Sequence, residues 1–91
     1  MSQINLPKYG WDLAILASVK WLEAKKQKTV LSMIDFEVVA EMGWLTNEEL
    51  QSRLNDLVRK GLLRKEVKPL WSGDETLYFL TESGKQCVRY A

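Results

Sequence analysis

Histidine is absent from this chain and cysteine occurs once, at Cys87. Those two shortages exclude disulfides, Cys/His zinc sites, Ser-His-Asp triads and Cys-His dyads together. Most enzyme classes go with them, and no local motif announces a carboxylate or lysine pocket in their place, so neither an enzyme nor a bound metal or cofactor is expected. Neither sign of charge predominates: thirteen Lys+Arg stand against twelve Asp+Glu, a formal charge of +1. Attraction to a polyanion or a membrane surface must therefore be local. Long hydrophobic runs are missing too. Residues 1–8 lack the apolar region of a secretion signal, and the longest apolar stretch nearby, 13–17, is far too short to span a membrane. A soluble, cytoplasmic protein is expected, with Cys87 as a small half-buried hydrophobe in a reducing compartment.

What is present suffices for one core. Ninety-one residues, 46% of them hydrophobic and 10% aromatic, allow a single marginal domain and argue against disorder. Residues 1–10 read as an N-terminal arm and 11–91 as the domain. Trp11, Ile15, Ser18 and Leu22 recur at helical spacing and predict a first helix over about 11–26. Leu13 and Leu16 make that helix apolar nearly all round, so Trp11, Leu13 and Leu16 are candidate dimerisation residues and a homodimer is expected. Lys25, Lys26 and Lys28 complement its dipole. Thr29, Val30 and Leu31 form a short β-prone stretch. Ser32 and Asp35 resemble a capping box opening a second helix over about 33–42, stopped at Gly43.

Thr46 and Glu49 form a cleaner capping box, and Leu50, Leu54 and Leu57 mark one apolar stripe ending at Gly61, a left-handed C-cap. Helix three, about 47–60, turns Glu48, Ser52, Asn55 and Arg59 away from that stripe, with Gln51 on its flank. Beyond Gly61 the period changes to that of strands. Leu63, Lys65 and Val67 share one side of a strand over about 62–68, and Arg64, Glu66 and Lys68 share the other. Pro69, Ser72, Gly73 and Asp74 supply loop chemistry before a second strand over 76–80. Thr81 caps a last short helix running to about 90.

This order, with Gly43, Leu45, Thr46, Glu49 and Leu50 inside the stretch 38–50, resembles the helix-turn-helix of winged-helix regulators. The stretch 54–65 looks like a recognition helix entering the first wing strand, and 78–85, with Tyr78, Thr81 and Gly84, is similar to the post-wing segment of the MarR and PadR families. The likeness covers about 33–88. It implies an α+β winged helix-turn-helix, with a three-helix core, a wing of two to three strands over about 62–80 and a short C-terminal helix. The helix-turn-helix would span about 33–60. Trp44 is an extra residue in the turn relative to the common pattern, a core or rim side chain expected to alter the angle between helices two and three.

The resemblance further implies a sequence-specific double-stranded DNA-binding protein and small transcriptional regulator, with helix 47–60 in the major groove. Asn47, Glu48, Gln51, Ser52 and Asn55 are then candidates for base edges, although as residues alone they are ordinary solvated helix positions. The charge pattern assigns phosphate contact elsewhere. From 29 to 58 six acidic residues face Arg53 alone, net −5, whereas 59–68 carries Arg59, Lys60, Arg64, Lys65 and Lys68 against Glu66, net +4. Those five are the candidate phosphate contacts, and 20–28, net +3, is a second basic site. The acidic helix-turn-helix keeps a second reading open. Leu70 and Trp71 at the wing tip, flanked by acids, suit a protein partner, as in a winged-helix interaction module that binds no DNA.

Overall fold

A computed structural model describes residues 7–42 and 45–88. Its elements run α1 (Pro7–Ala24), α2 (Leu31–Met42), α3 (Asn47–Arg59), β1 (Leu63–Leu70), β2 (Gly73–Leu80) and α4 (Glu82–Cys87). The fold class is α+β, as expected. Gly43, Trp44, residues 1–6 of the predicted arm and residues 89–91 lie outside the described residues.

Both predicted helix starts move toward the N-terminus. Residues 7–10, expected to close the arm, form the first turn of α1, and Pro7 suits that place because its fixed φ is helical and the first turn needs no amide donor. In α2, the amides of Met33 and Ile34 both bond the carbonyl of Val30, so Ser32 sits inside the helix rather than capping it. Leu31 belongs to α2, and the expected β-prone stretch contributes to the sheet only through Thr29, whose carbonyl accepts from the Tyr78 amide at 3.1 Å. At its other end α1 stops at Ala24, two residues early. Gln27 N–H bonds Leu22 and Lys26 N–H bonds Glu23 in the six-to-one, five-to-two pattern of a Schellman turn, with Lys26 at φ 58° where glycine is usual.

Helix α3 follows its local signals closely. Thr46 is the N-cap, accepting from the Glu49 amide at 3.1 Å, and its hydroxyl donates to the Glu49 carboxylate at 3.3 Å. Leu50, Leu54 and Leu57 are buried. Gly61, at φ +78°, closes the helix through bonds from Gly61 N–H to Val58 and from Leu62 N–H to Leu57. The stripe packs with Ile15, Leu16, Val19 and Leu22 of α1, Ile34 and Val38 of α2, and Leu63, Tyr78 and Leu80 of the hairpin. That cluster is the core.

The hairpin is longer and tighter than the loop residues suggested. Register runs from Leu63 opposite Leu80 to Leu70 opposite Gly73, leaving Trp71 and Ser72 as a two-residue turn. Pro69 pairs with Asp74 within the ladder. The Tyr78 amide points away from β1, to Thr29, and the same parity along the ladder puts the missing N–H of Pro69 on the outer edge, where it interrupts nothing. Gly73 takes φ +128°, a conformation costly for any other residue. The root of β2 is closed on its free edge as well, because the Leu80 amide donates to the Glu23 carboxylate at 2.8 Å. Beneath it, Thr81 caps α4 and ties it to the end of α3: its amide bonds the Leu62 carbonyl at 3.2 Å and its hydroxyl the Gly61 carbonyl at 2.6 Å.

Candidate functional site

With its leucine stripe in the core, α3 leaves one face outward. Asn47, Glu48, Ser52 and Asn55 are exposed there and Gln51 is half-buried. All five line one open groove, with Leu31 at the start of α2 and Arg59 at the end of α3. The residues expected to meet base edges are thus brought together on a single surface. Gln51 is already engaged: its Nε2 donates to the Tyr78 hydroxyl at 2.7 Å and to Asn55 Oδ1 at 3.3 Å.

The five basic candidates are not one patch. Arg59 Nη2 and Lys60 Nζ hold Asp56 at 2.9 and 3.1 Å. The Lys60 hydrogen bond is the chief reason the Asp56 carboxyl lies below its usual range; slight desolvation opposes it, and the charges of Lys60 and Arg59 add to it. Arg64 pairs with Glu66 and lies over the Phe79 ring, 4.8 Å from its centre. Cross-strand partners share a face, so Lys65 lies on the Tyr78 side, toward α3, while Arg64, Glu66 and Lys68 lie on the opposite side. The expected clamp of five therefore splits. Arg59 lines the groove and Lys65 shares the hairpin face of Tyr78, which reaches Gln51, whereas Arg64 and Lys68 lie on the opposite face, because strand alternation separates neighbours in sequence that charge counting pools.

The acidity of the helix-turn-helix is also redistributed. Asp56 is held by its two cations, and Arg53 reaches across to Asp12 of α1 at 3.4 Å. The second basic site is partly spent on the fold: Lys28 bonds Glu75 of β2 at 3.1 Å, and Lys25 stands 5.0 Å from the centre of the Trp21 ring.

Of the three candidate dimerisation residues, Leu16 is only 2% exposed and belongs to the core, and Trp11 packs against that core. The nearly all-round apolar pattern of α1 arises because α2, α3 and the hairpin cover most of it. Leu13 remains exposed, joined on α1 by Trp21 and on α2 by Phe36, 70% exposed. At the wing tip Leu70 is exposed and Trp71 wholly so. Among the described residues no group of three His, Cys, Asp or Glu side chains could hold a metal ion, and no helix is long and apolar enough to cross a membrane.

A three-helix core, a capped outward-facing α3 and a two-stranded hairpin docked at its end are the parts of one known architecture, and solved structures share it. A PadR family transcription regulator from hypervirulent Clostridium difficile superposes with a TM-score of 0.70 at 18% identity, over 87% of this chain and 79% of that one. The fold is a winged helix. A candidate transcriptional regulator from Thermoplasma acidophilum gives 0.72 at 17% identity, covering 90% of this chain and 76% of its own. A winged-helix DNA-binding protein from STIV gives 0.61 at 17%, covering 93% and 85%. No family model and no curated protein matches the sequence. The resemblance to PadR-type regulators is thus carried by the winged-helix fold.

Tyr78 was missed as a site residue by sequence reasoning. Its place on a strand was legible, but that its phenol reaches Gln51, 27 positions away, follows only from how the hairpin docks on α3.

Proposed function

We propose that this winged helix binds double-stranded DNA as a small, non-catalytic cytoplasmic regulator of transcription. Helix α3 enters the major groove, offering Asn47, Glu48, Gln51, Ser52 and Asn55 to base edges, while Arg59 and Lys65 meet the flanking phosphates. The observation that carries this reading is the gathering of those five polar side chains on one open groove, with Arg59 at its rim. The names of the fold neighbours support it, since they describe transcription regulators and a DNA-binding protein. The neutralisation of Asp56 by Arg59 and Lys60 supports it as well, because it removes repulsion at the C-terminal end of α3. Selection from a randomised duplex library tests the reading. Enrichment of a motif is expected; recovery of unenriched sequence counts against it.

A homodimer fits this role, because one module of this size covers little DNA. Leu13 is kept from the sequence-based trio, and Trp21 on α1 and Phe36 on α2, both exposed, join it as the proposed contact residues. Sedimentation equilibrium at micromolar concentration is expected to show a dimer, weakened by Trp21→Ala; a strictly monomeric parent refutes the assignment. The alternative is a protein-binding module that uses the exposed Leu70 and Trp71 of the wing tip and takes no DNA.

A further inference from the structure

The geometry points to Tyr78 as a positioning residue that sets which bases Gln51 and Asn55 can read. This rests on the DNA-binding reading above. A free glutamine or asparagine presents a carbonyl and an amide together and can pair with adenine in bidentate fashion. Gln51 is not free. Its Nε2 carries two N–H donors, and both meet acceptors of the protein, the part-buried Tyr78 Oη at 2.7 Å and the exposed Asn55 Oδ1 at 3.3 Å. What Gln51 can turn outward is its carbonyl oxygen, an acceptor. Asn55, with Oδ1 engaged, turns outward the two donors of Nδ2.

The anchor of this relay is rigid. Tyr78 is 2% exposed, paired in register with Lys65, and bonded through its amide to Thr29. Its phenol therefore reaches α3 from a fixed point, and the wing strand orients two side chains of the recognition helix without touching DNA. Gln51 and Asn55 lie one helical turn apart, so they meet neighbouring stretches of one groove. The outward pattern is an acceptor followed by donors. In the major groove an acceptor meets the exocyclic amine of cytosine or adenine, and a donor meets N7 of a purine, O6 of guanine or O4 of thymine. The relay thus removes bidentate recognition of adenine at Gln51, whose donors are both spent, and leaves a single acceptor contact there beside the donors of Asn55.

Library selection with the parent, Tyr78→Phe and Gln51→Ala tests this. The parent is expected to prefer an amine-bearing base at one position by about tenfold. Gln51→Ala removes that preference. Tyr78→Phe changes it at the same position, by releasing one Gln51 N–H, while affinity for a random duplex and preference elsewhere stay within about twofold. A general loss at all positions would mark Tyr78 as merely structural and overturn the inference. A parent motif that Tyr78→Phe leaves unchanged, position by position, overturns it while DNA binding stands; a parent that selects no motif overturns both. Nitrogen-proton NMR of the parent gives an independent check, in which a variant serves only to assign the signal. The Gln51 side-chain amide, assigned as the pair absent from Gln51→Ala, is expected to exchange slowly with solvent, and a freely exchanging pair overturns the inference.

Discussion

Replacing Gly84 by alanine perturbs the joint on which the wing root rests. Gly84 is buried in α4, and a methyl built on its Cα overlaps the Leu62 carbonyl oxygen and comes within 3.1 Å of both the Leu62 carbonyl carbon and Leu80 Cδ2. Backbone rather than a flexible side chain is in the way, so α4 and the Gly61–Leu62 link must part. Overpacking of this kind costs about 1–3 kcal/mol. Parting the joint also endangers the Thr81 amide bond to Leu62 and the Thr81 hydroxyl bond to Gly61, each worth about 1 kcal/mol net. Alanine returns about 1 kcal/mol through helix propensity. The balance is a loss of about 2–4 kcal/mol, which for a domain of this size lowers Tm by roughly 10–25 °C. Gly61→Ala is the control: its methyl meets open space, and only its φ of +78° is penalised, by about 1 kcal/mol. Thermal melts followed by circular dichroism compare the two. Equal losses, or a Gly84→Ala melt matching the parent, refute the steric argument.

Leu54→Ala removes a fully buried side chain of the α3 stripe and is expected to cost about 2–5 kcal/mol in urea titration; an unchanged midpoint would place the stripe outside the core. Asp56→Asn relieves Arg59 and Lys60 of their shared carboxylate. Affinity for random duplex should rise several-fold and the salt dependence steepen by up to about one unit, and an unchanged affinity contradicts the groove-side role of Arg59. Because the Asp56 carboxyl is held below its ordinary value, its ion pairs contribute above the unfolded value and are lost only as pH falls through the lowered one. With no histidine in the chain, DNA affinity at fixed ionic strength should be flat between about pH 6 and 7.5, and a step there contradicts this.

Features written within a few residues of each other were legible in the sequence. The Thr46 and Thr81 caps, the Leu50, Leu54 and Leu57 stripe and the left-handed Gly61 depend on local backbone chemistry, and the structure holds each of them. The helix-turn-helix order followed, because those signals fix where α3 begins and ends. What depends on which surfaces meet was not legible. Leu16 looked like an outward residue only because periodicity counts one buried stripe, whereas α1 is covered from several sides. The basic run 59–68 looked like one clamp because charge counting ignores that Lys65 and Arg64 point to opposite faces of a strand. Pro69 looked like a loop residue because its tolerance depends on lying at an edge, with its nitrogen outward. For the candidate site, the residue types on α3 could be read, but the commitment of Gln51 to Tyr78 could not.

The claim that α3 and the wing root form a DNA-binding surface is tested most directly by titrating the full chain with duplex DNA over a range of salt concentrations. Contacts from Arg59 and Lys65 predict a straight fall of log affinity with log salt, with a slope of about −2 or steeper per bound chain. A flat line, or no binding at low salt, contradicts the account.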